Sequence, residues 1–237
     1  MMVPFISIFG PDGSGKSTHA RILADYLVSK GFDVRIVWIK SFHTLAYVLS
    51  KIIEGLSPRS VVRNAQYNVI RINSMCCNRF NRLLWSLIEF ISIIPLVLLR
   101  VYIPLLMGKV VITERYIVDS IASIAYALDN PEFDTGNLAN IMLHFIPKEA
   151  ILIHLDSDYE TVKSRRLELT DPEDFFQFQR KIYDKLSKRL NAFRIDTAWR
   201  SVEETAFEIR KLVAQRFTNN QGKCHRLVDV ELEIRHG

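Results

Sequence analysis

Cysteine is scarce in this chain of 237 residues: Cys76, Cys77 and Cys224 are the full set. An odd count without a C-x-x-C pair excludes a disulfide framework and a zinc-thiolate site, and fits free thiols in a reducing compartment. No lysine and arginine run, and no basic stretch interleaved with aromatics, marks a nucleic-acid partner, so none is expected. The net charge of +5, from 31 basic and 26 acidic residues, is modest. It suits a protein that handles anionic phosphates but does not require one. The N-terminal Met1-Met2-Val3-Pro4-Phe5-Ile6 lacks the basic start and small-residue cleavage site of a signal peptide. These absences lead to the expectation of a cytoplasmic protein. There is no internal repeat, linker or low-complexity tract.

What is present is a large supply of core. Hydrophobic residues make up 49% and charged residues 24% of the chain, which excludes global disorder. The length fits one α/β domain over 1–217, followed by a polar extension at 218–237. Residues 83–107 are apolar enough to raise the question of a membrane span. Glu89 and Arg100 interrupt that run, and Pro95 and Pro104 are expected to break it. It therefore reads as a buried helix or two under a sheet, with a peripheral membrane contact as the alternative and no transmembrane span expected.

Short apolar, β-rich runs predict strands at 5–9, 34–39, 110–113, 151–155 and 193–196. Helical spacing predicts helices at 17–29, 119–128, 159–169, 173–191 and 201–215, the last opened by a capping box at Ser201 and Glu204. Gly31 is the stop of the first helix. Residues 41–108 read as mainly helical with a breaker at Ser57-Pro58, and a loop starts at Asn130-Pro131. The alternation predicts a three-layer α/β/α fold around a five-stranded parallel sheet.

Between the first strand and the first helix lies Gly10-Pro11-Asp12-Gly13-Ser14-Gly15-Lys16-Ser17. This is G-x-x-x-x-G-K-[ST], a phosphate-binding loop in its required strand-to-helix context. Glycines let backbone N–H groups turn inward, and the helix adds its positive N-terminal end. Lys16 is placed to reach β- and γ-phosphates, the Ser17 hydroxyl to ligate Mg²⁺, and Thr18 to meet an α-phosphate. The chemistry is thus ATP-dependent phosphoryl transfer with Mg²⁺. A GTPase is excluded: there is no N-K-x-D, and D-x-x-G occurs only at Asp12–Gly15, inside the loop.

Two further blocks carry a resemblance. The third strand runs into Glu114-Arg115-Tyr116-Ile117-Val118-Asp119-Ser120, and later come Asp174-Phe175-Phe176, Arg180, Tyr183 and Leu186. With the loop, they resemble the thymidylate kinase family over most of residues 3–215. The resemblance implies a P-loop nucleoside monophosphate kinase that converts dTMP and ATP to dTDP and ADP, with Mg²⁺, a mobile lid and a homodimer. Carried over by position, it implies that Asp12 faces the acceptor, that Arg115 grips its phosphate, and that Arg165 and Arg166 come from the lid. Glu114 ends a strand beside the loop and is the candidate to hold a Mg²⁺-bound water.

The acceptor half departs from the family pattern. Phe9 stands where an acidic residue is usual, Lys40 is a substitute at best for an arginine, and Arg71 and Phe80 match the thymine-reading stretch only loosely. The alternative is therefore a same-fold kinase of another acceptor, a different nucleotide, a nucleoside, a sugar or a lipid. A hydroxyl acceptor would need Asp12 or Glu114 as its base. Asp156 reads as a helix N-cap, Arg180 and Tyr183 as helix packing, and His19, His43 and His154 as structural.

Overall fold

The computed structural model describes residues 4–39, 61–64, 69–72, 79–165 and 172–221. Strand β1 (Phe5–Phe9) leads through the phosphate loop into α1 (Lys16–Ser29), and β2 (Val34–Trp38) follows. A hairpin of β3 (Val61–Asn64) and β4 (Val69–Ile72) precedes a helical rod. The rod comprises α2 (Arg79–Val97), a π-helical stretch Leu98–Tyr102 and α3 (Ile103–Leu106). Then come β5 (Val110–Arg115), α4 (Ile117–Ala127), a 3-10 turn Phe133–Thr135 and α5 (Asn137–Leu143). The chain continues through β6 (Ile151–Asp156), α6 (Tyr159–Arg165), α7 (Glu173–Arg189), β7 (Phe193–Asp196) and α8 (Val202–Gln221).

The main sheet has the order β2-β5-β1-β6-β7, and every pairing in it is parallel. All residues of β1 and β6 are buried, as parallel strands covered on both faces must be. Alternation along β1 divides the core. Ile6 and Ile8 face α1 and α8, where Leu23, Leu27, Ile209 and Val213 meet them. Phe5 and Phe9 face the other layer, with Ile93 of α2, Ile121 of α4 and Leu186 of α7. This is the three-layer α/β/α fold that the sequence predicts.

The ends of α1 and α8 also follow the sequence. Past α1, Gly31 takes φ 84, and Phe32 N–H closes back on the Leu27 carbonyl at 3.1 Å, a left-handed stop that glycine adopts without a Cβ penalty. At α8, the Ser201 N–H donates to Glu204 Oε2 at 2.8 Å and the Glu204 N–H donates to Ser201 Oγ at 3.1 Å. Ser201→Ala removes half of this box and is expected to lower stability by about 1 kcal/mol, measured as a shift in the urea midpoint at constant slope.

Four local expectations are corrected. Within 41–108 the β3–β4 hairpin pairs antiparallel, Val61 opposite Ile72 and Asn64 opposite Val69. Its β-branched residues favour strand over helix. Pro95 does not divide the apolar run, because α2 passes through it. Pro95 lies on the exposed face, where the carbonyl that loses its helical partner is open to water, and a π-helical stretch follows at Leu98–Tyr102. Asp156 is not an N-cap; Asp158 takes that role, accepting the Thr161 N–H at 2.7 Å. Short helical pieces at 133–135 and 137–143 also replace the expected loop.

The stretch from Arg82 to Leu106 is long and apolar enough to cross a membrane by length and composition. Its inward face, with Trp85, Phe90, Ile93, Val97 and Val101, belongs to the main core. Its outward face exposes Leu84, Ile91, Leu98 and Leu106.

Candidate active site

Strand β1 ends between β5 and β6, so the loop that follows it is flanked by the C-terminal ends of both. Ligands of open parallel sheets bind at that edge. Gly10 has φ 143, and a Cβ built there would collide with the Leu155 carbonyl oxygen of β6. Gly10→Ala is expected to cost at least about 2 kcal/mol, from left-handed strain plus the clash; a loss of the folded baseline in thermal melts checks it.

The cleft over the loop has a volume of about 560 Å³ and is lined by Gly13, Gly15, Lys16, Ser17 and Thr18 of the loop and α1. Gly10, Pro11 and Ser14 shape the loop from behind. The Lys16 ammonium is held by the carbonyls of Gly10 at 2.7 Å and Pro11 at 2.8 Å, and by Asp12 Oδ1 at 3.2 Å. Burial lowers its pKa, and the Asp12 carboxylate pulls in the opposite direction.

Glu114 reaches the loop across 97 residues of sequence: the Ser17 hydroxyl donates to its Oε2 at 2.5 Å. A hydroxyl and a carboxylate side by side are the hard oxygen donors that Mg²⁺ takes, completed by water and substrate phosphate. Among the described residues no three His, Cys, Asp or Glu side chains gather into a separate metal site.

Arg115 turns toward the loop and pairs with Asp12 Oδ1. Burial opposes its charge, yet the carboxylates of Asp12 and Asp119 hold its pKa above the ordinary arginine value. Asp12 thus sits between two cations, Lys16 and Arg115. Behind Arg115, Asp119 accepts the Tyr116 N–H at 3.1 Å and the Tyr183 hydroxyl at 3.0 Å. Burial raises the Asp119 pKa, an effect that Arg115 and Lys16 partly offset.

The second sequence block acquires a physical meaning here. On α7, Tyr183 ties to Asp119, and Phe175 packs on Tyr126 of α4 with ring centroids 4.6 Å apart. Arg180 grips both oxygens of the fully buried Asp156 at 2.8 Å, and Arg194 of β7 joins them. Burial by itself would raise the Asp156 pKa; the hydrogen bonds from Arg180 and Arg194 prevail and hold it low. The block docks one helix onto two strand ends, which is why its residues recur at helical spacing.

Arg165, at the end of α6, lines the cleft and donates to the Thr197 carbonyl at 2.6 Å. Thr197 N–H bonds the Asp156 carbonyl at 2.8 Å, and its hydroxyl lies 3.3 Å from the Ser14 carbonyl. Thr197 therefore joins the loop, β6 and Arg165. Thr197, Arg200 and Trp38 line the cleft and are absent from the sequence-based candidates. Thr197 and Trp38 stand at or just past strand C-termini, which was the signal available. Arg166, Lys40 and His43 lie outside the described residues, as do the side chains of Arg71 and Phe80. His19 lines the cleft, its pKa lowered by burial and by Arg165. His154 stacks on Phe9 at 5.2 Å, and burial lowers its pKa to about 4.

No protein-family model matches the chain. Two proteins named "Probable thymidylate kinase" are similar to it. That of Thermococcus onnurineus is 25% identical over 219 residues, covering 88% of this chain and 96% of its own. That of Pyrococcus horikoshii is 28% identical over 221 residues, covering 88% and 95%. Among solved structures, thymidylate kinase from Candida albicans superposes with a TM-score of 0.57 at 18% identity, covering 90% of this chain and 92% of that one. Over most of its length the chain is thus similar to proteins named thymidylate kinase, and it shares the fold of a solved thymidylate kinase.

Proposed function

We propose that this chain is an ATP-dependent nucleoside monophosphate kinase that phosphorylates dTMP to dTDP. The observation that carries this reading is the commitment of both candidate bases. Asp12 is neutralised between Lys16 and Arg115, and Glu114 is engaged by Ser17. A hydroxyl acceptor needs a free carboxylate to take its proton. A monophosphate has a second pKa near about 6 and is already an ionised nucleophile at neutral pH. Phosphoryl transfer then needs only alignment and charge neutralisation.

Residue roles follow. The loop N–H groups and Lys16 hold the phosphates of ATP. Ser17 and Glu114 would hold Mg²⁺, which when bound neutralises charge on the transferred group. Arg115 takes the acceptor phosphate, with Asp12 orienting the guanidinium. Arg165 supplies positive charge from the opposite wall, fixed by Thr197. Arg166 shares that role by its place in sequence. The cytoplasm is the compartment that this substrate pair implies.

The test is ADP release by purified protein given ATP, Mg²⁺ and each nucleoside monophosphate in turn, with sugar, nucleoside and lipid acceptors alongside. Turnover fastest with dTMP supports the reading. Turnover only with a non-nucleotide acceptor replaces it with the altered-acceptor alternative.

The outward face of α2 and the π-helical stretch exposes Leu84, Ile91 and Leu98, spaced every seven residues like a helix-pairing seam. A second copy of the chain covers this face in a homodimer, and Ile91→Asp is expected to yield monomers in analytical ultracentrifugation. Flotation of the parent protein with liposomes would assign the face to a membrane surface instead.

A further inference from the structure

Helix α2 carries on its inward face two buried polar groups that no described residue answers. The Trp85 indole N–H and Glu89 Oε2 are buried and have no hydrogen-bond partner. Trp85 is 5% and Glu89 7% exposed. Four residues apart, they stand one above the other on the same side of the helix. Phe90, Ile93 and Val97 continue that side into the apolar core. A carboxyl buried without a partner is costly, and a leucine in its place would pack without that cost. Buried polar groups are nearly always satisfied; other unsatisfied atoms occur among the described residues, but here a donor and a carboxyl oxygen lie one helical turn apart on one face, an arrangement that fits a partner from outside the chain.

Their position indicates which partner. Arg100 Nη1 donates to the Trp38 carbonyl at 3.2 Å, and Trp38 pairs with Arg115 at the C-terminal ends of β2 and β5. The rod climbs from Leu106, near the start of β5, past this rim at Arg100. At 1.5 Å per residue, Glu89 lies about 16 Å farther along the axis than Arg100, beyond the strand ends. It is on the side of the sheet that holds Tyr116 and α4, away from α1 and α8. Contacts lead from there to the candidate active site. Phe90, next to Glu89, packs edge-on against Phe145 at 5.4 Å. The Phe145 carbonyl accepts the hydroxyl of Tyr116 at 2.6 Å, and Tyr116 follows Arg115 directly. An acceptor whose phosphate meets Arg115 extends its far end along this wall.

We propose that Trp85 and Glu89 form the base-reading wall of the acceptor site. The indole N–H donates to a ring carbonyl and the carboxyl accepts from the adjacent ring N–H, as an imide or lactam edge of a nucleobase presents them. The inference rests on the reading of the chain as a nucleoside monophosphate kinase, and it locates acceptor choice in two side chains of one helix.

Equilibrium titration of nucleoside monophosphates without ATP tests it independently of turnover. Trp85→Phe keeps the aromatic bulk and removes the N–H; Glu89→Leu removes the carboxyl at similar size. Each is expected to weaken binding of the preferred monophosphate about tenfold. In turnover the acceptor KM rises while kcat at saturation and the KM for ATP stay as in the parent. Binding of 2-deoxyribose 5-phosphate, which has no base, is unchanged. Variants that keep the parent affinity for the monophosphate, with native circular dichroism, overturn the inference alone. Equal weakening toward the baseless sugar phosphate also overturns it, as a packing defect. A parent protein that binds no nucleoside monophosphate overturns the kinase reading with it.

Discussion

Lys16→Ala is expected to lower kcat by roughly 10²–10³-fold, or about 2.7–4 kcal/mol of transition-state stabilisation. The ammonium is buried, at 6% exposure, and is preorganised by the Gly10 and Pro11 carbonyls and Asp12. It has already lost its water, so turning to a phosphate oxygen brings a charge contact without a fresh desolvation cost. Removing it also frees Asp12 from one of its two cations, leaving the carboxylate to repel incoming phosphate. Lys16→Met, which keeps the apolar stem, separates the charge from the packing. Both variants should lose rate while melting close to the parent. Coupled ADP-release assays measure the first quantity and calorimetry the second; an unchanged rate in Lys16→Met refutes the assigned role.

Glu89 carries the second large effect, on stability and its dependence on pH. Burial raises its pKa from 4.5 to about 7. Between those values the native protein keeps a proton that the unfolded chain has released. Its contribution to stability is therefore complete below pH 4.5, declines as pH rises, and is lost above about 7. The span amounts to about 3 kcal/mol. Glu89→Gln cannot ionise, so it should match the parent near pH 4.5 and exceed it by up to about 3 kcal/mol at pH 8. Urea unfolding at several pH values reads this directly, and parallel curves for the two proteins would contradict it. The same substitution alters the polar group assigned to base reading. A gain in stability with a loss of acceptor affinity is the pattern of a residue kept for function.

Short apolar runs made most of the sheet legible. β1 and β6 are buried at every position and read as strands by composition alone. The loop and the Ser201–Glu204 box are local patterns whose partners lie within a few residues. Legibility ended where geometry depends on distant chain. Asp156 has the look of an N-cap until Arg180 and Arg194, 24 and 38 residues on, close around it. Ser17 and Glu114 each carried a metal expectation, but only the β1–β5 pairing brings them to 2.5 Å. The β3–β4 hairpin was hidden inside a region whose overall apolarity suggested helix. Trp85 and Glu89 gave no sequence signal beyond one acidic residue in an apolar run. Their significance depends on what fails to meet them in three dimensions.

The π-helical turn Leu98–Tyr102 sets the bearing of everything upstream on the rod. A π turn holds one residue more than an α turn. Deleting a single residue there would rewind it, and each residue advances a helix by about 100°. Trp85 and Glu89 would then swing away from the interior, and the Leu84–Ile91–Leu98 seam would rotate with them. One inserted residue thus works as an angular offset, and related chains that lack it would aim a different set of side chains at the acceptor.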